Sequence, residues 1–174
     1  PPRTPTAPSP LLPLTPPHEF LDTPCRHPMP HTSIEHPPGE GNPTIVIVMQ
    51  HRPGMDDWQR ALADQLSQQG FIAIAADLHS GLGPNCGAYD SFGGSTDEVM
   101  RATARITQDD MQARYKAARD YGLNLARSNG KSASVGFCMG GRNSFRFSGE
   151  VPSLHSHAVH PCPTPTNAIM HSLT

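Results

Sequence analysis

A chain of 174 residues with a formal net charge of −2 is long enough to bury one hydrophobic core, and a second domain is not expected. The near-neutral balance leaves no basic footprint for nucleic acid. No apolar run approaches the roughly 18 residues of a membrane span, so neither nucleic acid nor a membrane is an expected partner.

Residues 1–43 hold fourteen of the twenty prolines. Proline removes backbone donors, and apolar periodicity is weak here, so the segment is expected to be extended or disordered and to lie outside the fold. Its His18, His27, His31 and His36 are scattered and give only a weak metal-ligand signal. The domain proper is placed at 44–174. Thr44 to Met49 is a continuous apolar, mostly β-branched run, as in a strand buried on both faces of a parallel sheet. Pro53-Gly54 turns the chain, Asp56 and Asp57 suit a helix start, and Trp58, Leu62 and Leu66 recur near helical spacing until Gly70. Phe71 to Asp77 reads as a second buried strand and completes a βαβ unit.

From Leu78 to Thr96 the reading is a long loop with five glycines. Gly81-Leu-Gly83-Pro-Asn-Cys-Gly87 has the wrong spacing for a dinucleotide fingerprint and precedes no evident helix, so it is not read as a nucleotide site. Thr107-Gln-Asp-Asp110 forms a capping box with aspartate in place of glutamate. The helix it opens carries Met111, Tyr115, Ala118, Gly122 and Leu125 on one face, read as packing. After a turn at Asn129-Gly130, Lys131 to Phe137 is a third strand and Arg142 to Gly149 a short helix. Leu154 to His160, beyond Pro152, is a candidate last strand.

Between that third strand and its helix lies Gly136-Phe-Cys-Met-Gly140. Glycines two residues either side of Cys138 fit a nucleophile elbow, a strand-to-helix turn too sharp for side chains at those two places. The thiol would sit at the apex, facing backbone N–H groups of the helix start that stabilise an oxyanion and favour a thiolate. The competing reading is a buried, inert cysteine beside a glycine turn. Cys25, Cys86, Cys138 and Cys162 are few and irregularly spaced; they form no disulfide framework, and reduced thiols are expected, although Cys25 with Cys162, or Cys86 with another, could pair in an exported protein. A cytoplasmic location is favoured on this reading, with a secreted or periplasmic one left open if a signal peptide has been lost. The first residues lack a signal-peptide pattern, and with no initiator Met the true N-terminus is expected upstream.

Strand, helix, strand, helix, strand, elbow, helix, strand is a doubly wound α/β order with a mostly parallel sheet, whose ligands bind outside the carboxyl ends of the strands. His51 follows the first strand, His79 the second, Cys138 the third and His160 the fourth. All four are expected at one sheet edge.

The run Asp57 to Gly83, and Arg119-Asp-Tyr-Gly122 followed by Ser128 to Gly141, resemble the dienelactone hydrolase family over about Thr44 to Pro152. The resemblance implies an α/β-hydrolase fold, a cysteine hydrolase of lactones or related carboxylic esters, and no dissociable cofactor. It makes Cys138 the nucleophile and the Met139 N–H one oxyanion donor, with a second donor from the loop near His51 or Arg52. His51 also stands as a possible base, and His79 and His160 as substrate-side residues.

Two departures accompany the resemblance. Family members commonly carry a glutamate beside the first loop, where this chain reads Met49-Gln-His-Arg-Pro-Gly54. The family's aspartate and histidine lie on later loops, for which no segment up to Thr174 is a counterpart. The expectation is therefore a truncated, impaired hydrolase, with His51, His79 or His160 as candidate replacements for the histidine. Two alternatives stand beside it: a non-catalytic binding module, and a metal protein using His155, His157, His160 and Cys162. A sheet edge left bare after the fourth strand is expected to favour self-association.

Overall fold

The computed structural model describes residues 19–20, 32–82, 84–87, 89–93, 95–151, 154 and 156–160. Ten regular elements follow one another: β1 (Glu19–Phe20), β2 (Ser33–Glu35), β3 (Ile45–Met49), α1 (Asp57–Gln68), β4 (Ile72–Ala76), α2 (Thr96–Thr103), α3 (Gln108–Leu123), β5 (Ser132–Phe137), α4 (Met139–Glu150) and β6 (Ser156–His160). Two short 3₁₀ turns, Pro84–Gly87 and Tyr89–Phe92, separate β4 from α2.

The strands form one sheet in the order β1-β2-β4-β3-β5-β6. Its body is the four parallel strands β4, β3, β5 and β6, and β2 and then β1 add on antiparallel beyond β4. Every residue of β3 and β4 is buried, which is why both read as unbroken apolar runs instead of alternating ones.

The two faces of the sheet carry different helices. Ile45, Ile47 and Met49 of β3, with Ile72, Ile74 and Ala76 of β4, pack with Met111, Tyr115 and Ala118 of α3 and Phe147 of α4. The opposite face is smaller: Val48, Ala73 and Ala75 meet Met55 and Ala63, flanked by Leu62, Leu66 and Val135. Burying each large aliphatic side chain contributes roughly 1.5–3 kcal/mol before entropy is charged against it.

Several sequence expectations are corrected. Ser33–Glu35 lies within the segment expected to stay outside the fold, yet its three residues are buried and pair with β4. Thr32 to Glu35 is a proline-free island that keeps its backbone donors, and Ile34 supplies a core side chain. Thr96–Thr103 is a helix that begins where the expected loop ends, in a stretch for which no element was expected. Ser95-Thr-Asp-Glu98 has the spacing of a capping box, although Ser95 makes no side-chain cap bond. Of the expected α1 stripe, Leu62 and Leu66 pack against the core beside the fully buried Gln59, Ala63 and Ser67, whereas Trp58 is 47% exposed.

The N-cap half of the expected capping box of α3 is present, with Thr107 Oγ1 accepting from the Asp110 N–H at 3.1 Å, while the Asp110 carboxylate accepts from the Thr107 hydroxyl. Cys86 is disulfide-bonded, contrary to the expectation of reduced thiols. No helix among the described residues is long and apolar enough to cross a membrane.

Candidate active site

The elbow is built by β5 and α4. Cys138 stands between them as the N-cap of α4 with φ 55° and ψ −118°, a left-handed backbone that costs a side-chain-bearing residue about 1–3 kcal/mol. Such strain persists only where the surroundings fix it. A Cβ added at Gly136 would lie 2.3 Å from the Gly140 carbonyl, and one at Gly140 would lie 2.2 Å from the Met49 oxygen and 3.0 Å from that of Gln50. Both glycines are therefore steric requirements, and the second lets the loop after β3 lie directly against the first turn of α4. Cys138 is a free, exposed thiol. Met139 opens the helix, so its N–H is among those left without an intrahelical carbonyl.

Parallel pairing decides which histidines come near. Met49 pairs with Gly136, and Phe137 with His160. His51 and Cys138 thus each stand two residues beyond a paired position on neighbouring strands, which run about 4.8 Å apart. His160 ends the strand on the other side; its side chain is outside the described set, as are the side chains of His155, His157 and Cys162. Among the described residues no cluster of three or more His, Cys, Asp or Glu has the arrangement of a metal site.

His51 is held from two directions. Its ring stacks on Trp58, with centroids 5.4 Å apart and planes 19° apart. Trp58 in turn meets Phe137, the neighbour of Cys138, edge-on at 5.1 Å. His51 Nε2 lies 3.0 Å from Asp56 Oδ2. The approach is oblique, since this buried nitrogen makes no aligned hydrogen bond. The other oxygen of Asp56 accepts from the Gln59 N–H at 3.0 Å and caps α1.

His79 is placed differently. It is 1% exposed, one strand further from Cys138, and both ring nitrogens are engaged. Nε2 is 2.8 Å from Thr103 Oγ1, and Nδ1 is 3.4 Å from Gln50 Nε2 and 3.5 Å from Asp77 Oδ1. Thr103 also reaches the Val99 carbonyl at 2.9 Å and that of Arg52 at 3.3 Å. Gln50 Oε1 accepts from the Leu78 N–H at 2.9 Å. This network ties the loop after β3 to β4 and α2 from beneath. Arg52 contributes its carbonyl to that tie, and its side chain is exposed.

Tyr115 lies under the same loop. Burial pushes its phenol well above the ordinary tyrosine value of 10.0, the Asn143 side chain and the Gln50 backbone oppose the rise, and Asp77 adds to it. Neither opposing contact is an aligned hydrogen bond.

The contacts of Asp56, Trp58, Gln50 and Thr103 beside His51 and His79 have no counterpart in the sequence reading. Asp56 was legible as a cap only, because a carboxylate's second oxygen has no sequence signature. Trp58 fitted a helical stripe.

A family model described as the dienelactone hydrolase family matches residues 32–171. Solved structures of similar fold include a dienelactone hydrolase-like promiscuous phosphotriesterase from metagenomic libraries, 23% identical over 74% of this chain and 52% of that one, with a TM-score of 0.57. Others are a putative dienelactone hydrolase from Klebsiella pneumoniae subsp. pneumoniae (19%, 80% and 56%, TM-score 0.62) and dienelactone hydrolase from Anabaena variabilis (19%, 74% and 55%, TM-score 0.51). The chain spans about half the length of these structures, and at such identities the likeness is one of fold. No curated protein matches the chain.

Proposed function

Because the chain belongs to the dienelactone hydrolase family, matching its model over residues 32–171, we propose that it is a hydrolase of small carboxylic esters or lactones with Cys138 as nucleophile. The observation that carries this reading is the exposed thiol held at φ 55° between two sterically required glycines. Strain of that kind gathers where a side chain must be presented to a substrate.

The chemistry runs through a thioester. His51 takes the proton of the Cys138 thiol, and the sulfur attacks the carbonyl carbon. The Met139 N–H, with one from the loop near His51 or Arg52, stabilises the resulting oxyanion. As the tetrahedral adduct collapses, the C–O bond breaks and the leaving alkoxide takes the proton back from the imidazolium. Water, giving a proton to His51, then attacks the thioester; acid is released and the thiol regains its proton. His79 takes no part in this scheme except to brace the loop. His160 pairs in register with Phe137, the residue before Cys138, and is kept as a substrate-side residue. No dissociable cofactor is required by these steps.

Iodoacetamide provides the first check. Loss of activity on an activated ester should track one carbamidomethyl group on Cys138, mapped by peptide mass spectrometry. Full activity with Cys138 stoichiometrically alkylated would reject the thiol as nucleophile.

A further inference from the structure

One loop supplies both a histidine and a carboxylate beside the elbow. His51 and Asp56 bracket the turn between β3 and α1, their Nε2 and Oδ2 atoms lie 3.0 Å apart, and their side chains are 16% and 27% exposed. Asp56 is itself pinned, because Oδ1 is committed to the Gln59 N–H and only Oδ2 faces the imidazole. The stack on Trp58 fixes the ring plane. A histidine near the end of β3 therefore has its face and one nitrogen constrained by neighbours.

We propose that Asp56 is the positioning carboxylate of His51, so that Cys138, His51 and Asp56 act together and the β3–α1 loop provides both the base and its orienting acid. The inference rests on the thiol reading above. Asp56 holds the proton on Nε2, which leaves Nδ1 as the nitrogen with a lone pair. Nδ1 takes the thiol proton, Asp56 stays ionised throughout, and its charge stabilises the imidazolium until the leaving group or thiol receives the proton. Oblique geometry in the free protein is compatible with this role, since catalytic contacts commonly align only with substrate bound.

Asp56→Asn separates this role from capping, because asparagine caps a helix about as well as aspartate. In the full chain, kcat on an activated ester should fall by about 10²-fold or more, as when a triad carboxylate is neutralised. KM should stay within about threefold and the thermal midpoint close to that of the parent. Asp56→Ser, another good cap, should show the same loss. The second-order rate of Cys138 alkylation by iodoacetamide at neutral pH should fall with it, which reads the dyad without turnover. If both variants keep kcat and the alkylation rate within about twofold while Cys138→Ala abolishes turnover, Asp56 is a cap alone and the inference fails with the thiol reading intact. If Cys138→Ala keeps its turnover, both fall.

Discussion

Replacing Cys138 with alanine is expected to lower turnover of an activated ester by at least about 10³-fold, leaving what the oxyanion donors and binding supply by themselves. The fold should not suffer. The side chain is exposed, and alanine keeps both the Cβ and the backbone strain. Cys138→Gly removes that strain as well. It should match alanine in lost activity and exceed it in stability by about 1 kcal/mol, because glycine alone adopts φ 55° without penalty. Denaturant midpoints of the two variants measure the difference. A glycine variant no more stable than the alanine variant would mean that the elbow stores no strain.

The second large effect belongs to Gly140. A methyl group there meets backbone, the Met49 and Gln50 carbonyls, and backbone cannot swing aside as the end of a side chain can. Gly140→Ala must push α4 away from the end of β3, and that gap separates Cys138 from the loop carrying His51. Overpacking of this kind costs typically about 1–3 kcal/mol, which corresponds to several degrees of thermal midpoint for a domain of this size. Activity should fall further than the surviving folded fraction explains. Unchanged melting and full turnover in this variant would contradict the close approach on which the site depends.

The order of the elements was largely legible because buried parallel strands write themselves as apolar runs. Ile45–Met49 and Ile72–Ala76 needed no tertiary information. The elbow was legible for a related reason: glycines two places either side of a cysteine have few other uses. The antiparallel strand at Ser33–Glu35 was hidden by prolines on both sides and by having a single apolar residue, Ile34. Its burial comes from pairing with β4, a contact across forty residues that no local pattern announces.

At the site, sequence order brought His51, His79, Cys138 and His160 to one edge but could not rank them. Ranking needed the strand order, which puts β3 between the strand of His79 and that of Cys138, and the side-chain partners, which bind His79 into the network of Gln50 and Thr103. Asp56 escaped for a complementary reason. Its capping role accounted for its presence, and its second contact appears only when its other oxygen is seen 3.0 Å from an imidazole.

The central claim is that the Cys138 sulfur carries the acyl group. Rapid acid quench during hydrolysis of a slowly deacylating activated ester, followed by peptide mass spectrometry, tests it directly. The account predicts an added acyl mass on the peptide containing Cys138, removed by hydroxylamine and absent in Cys138→Ala. Steady turnover with the acyl group on another residue, or with no acylated peptide while Cys138→Ala remains active, would contradict it.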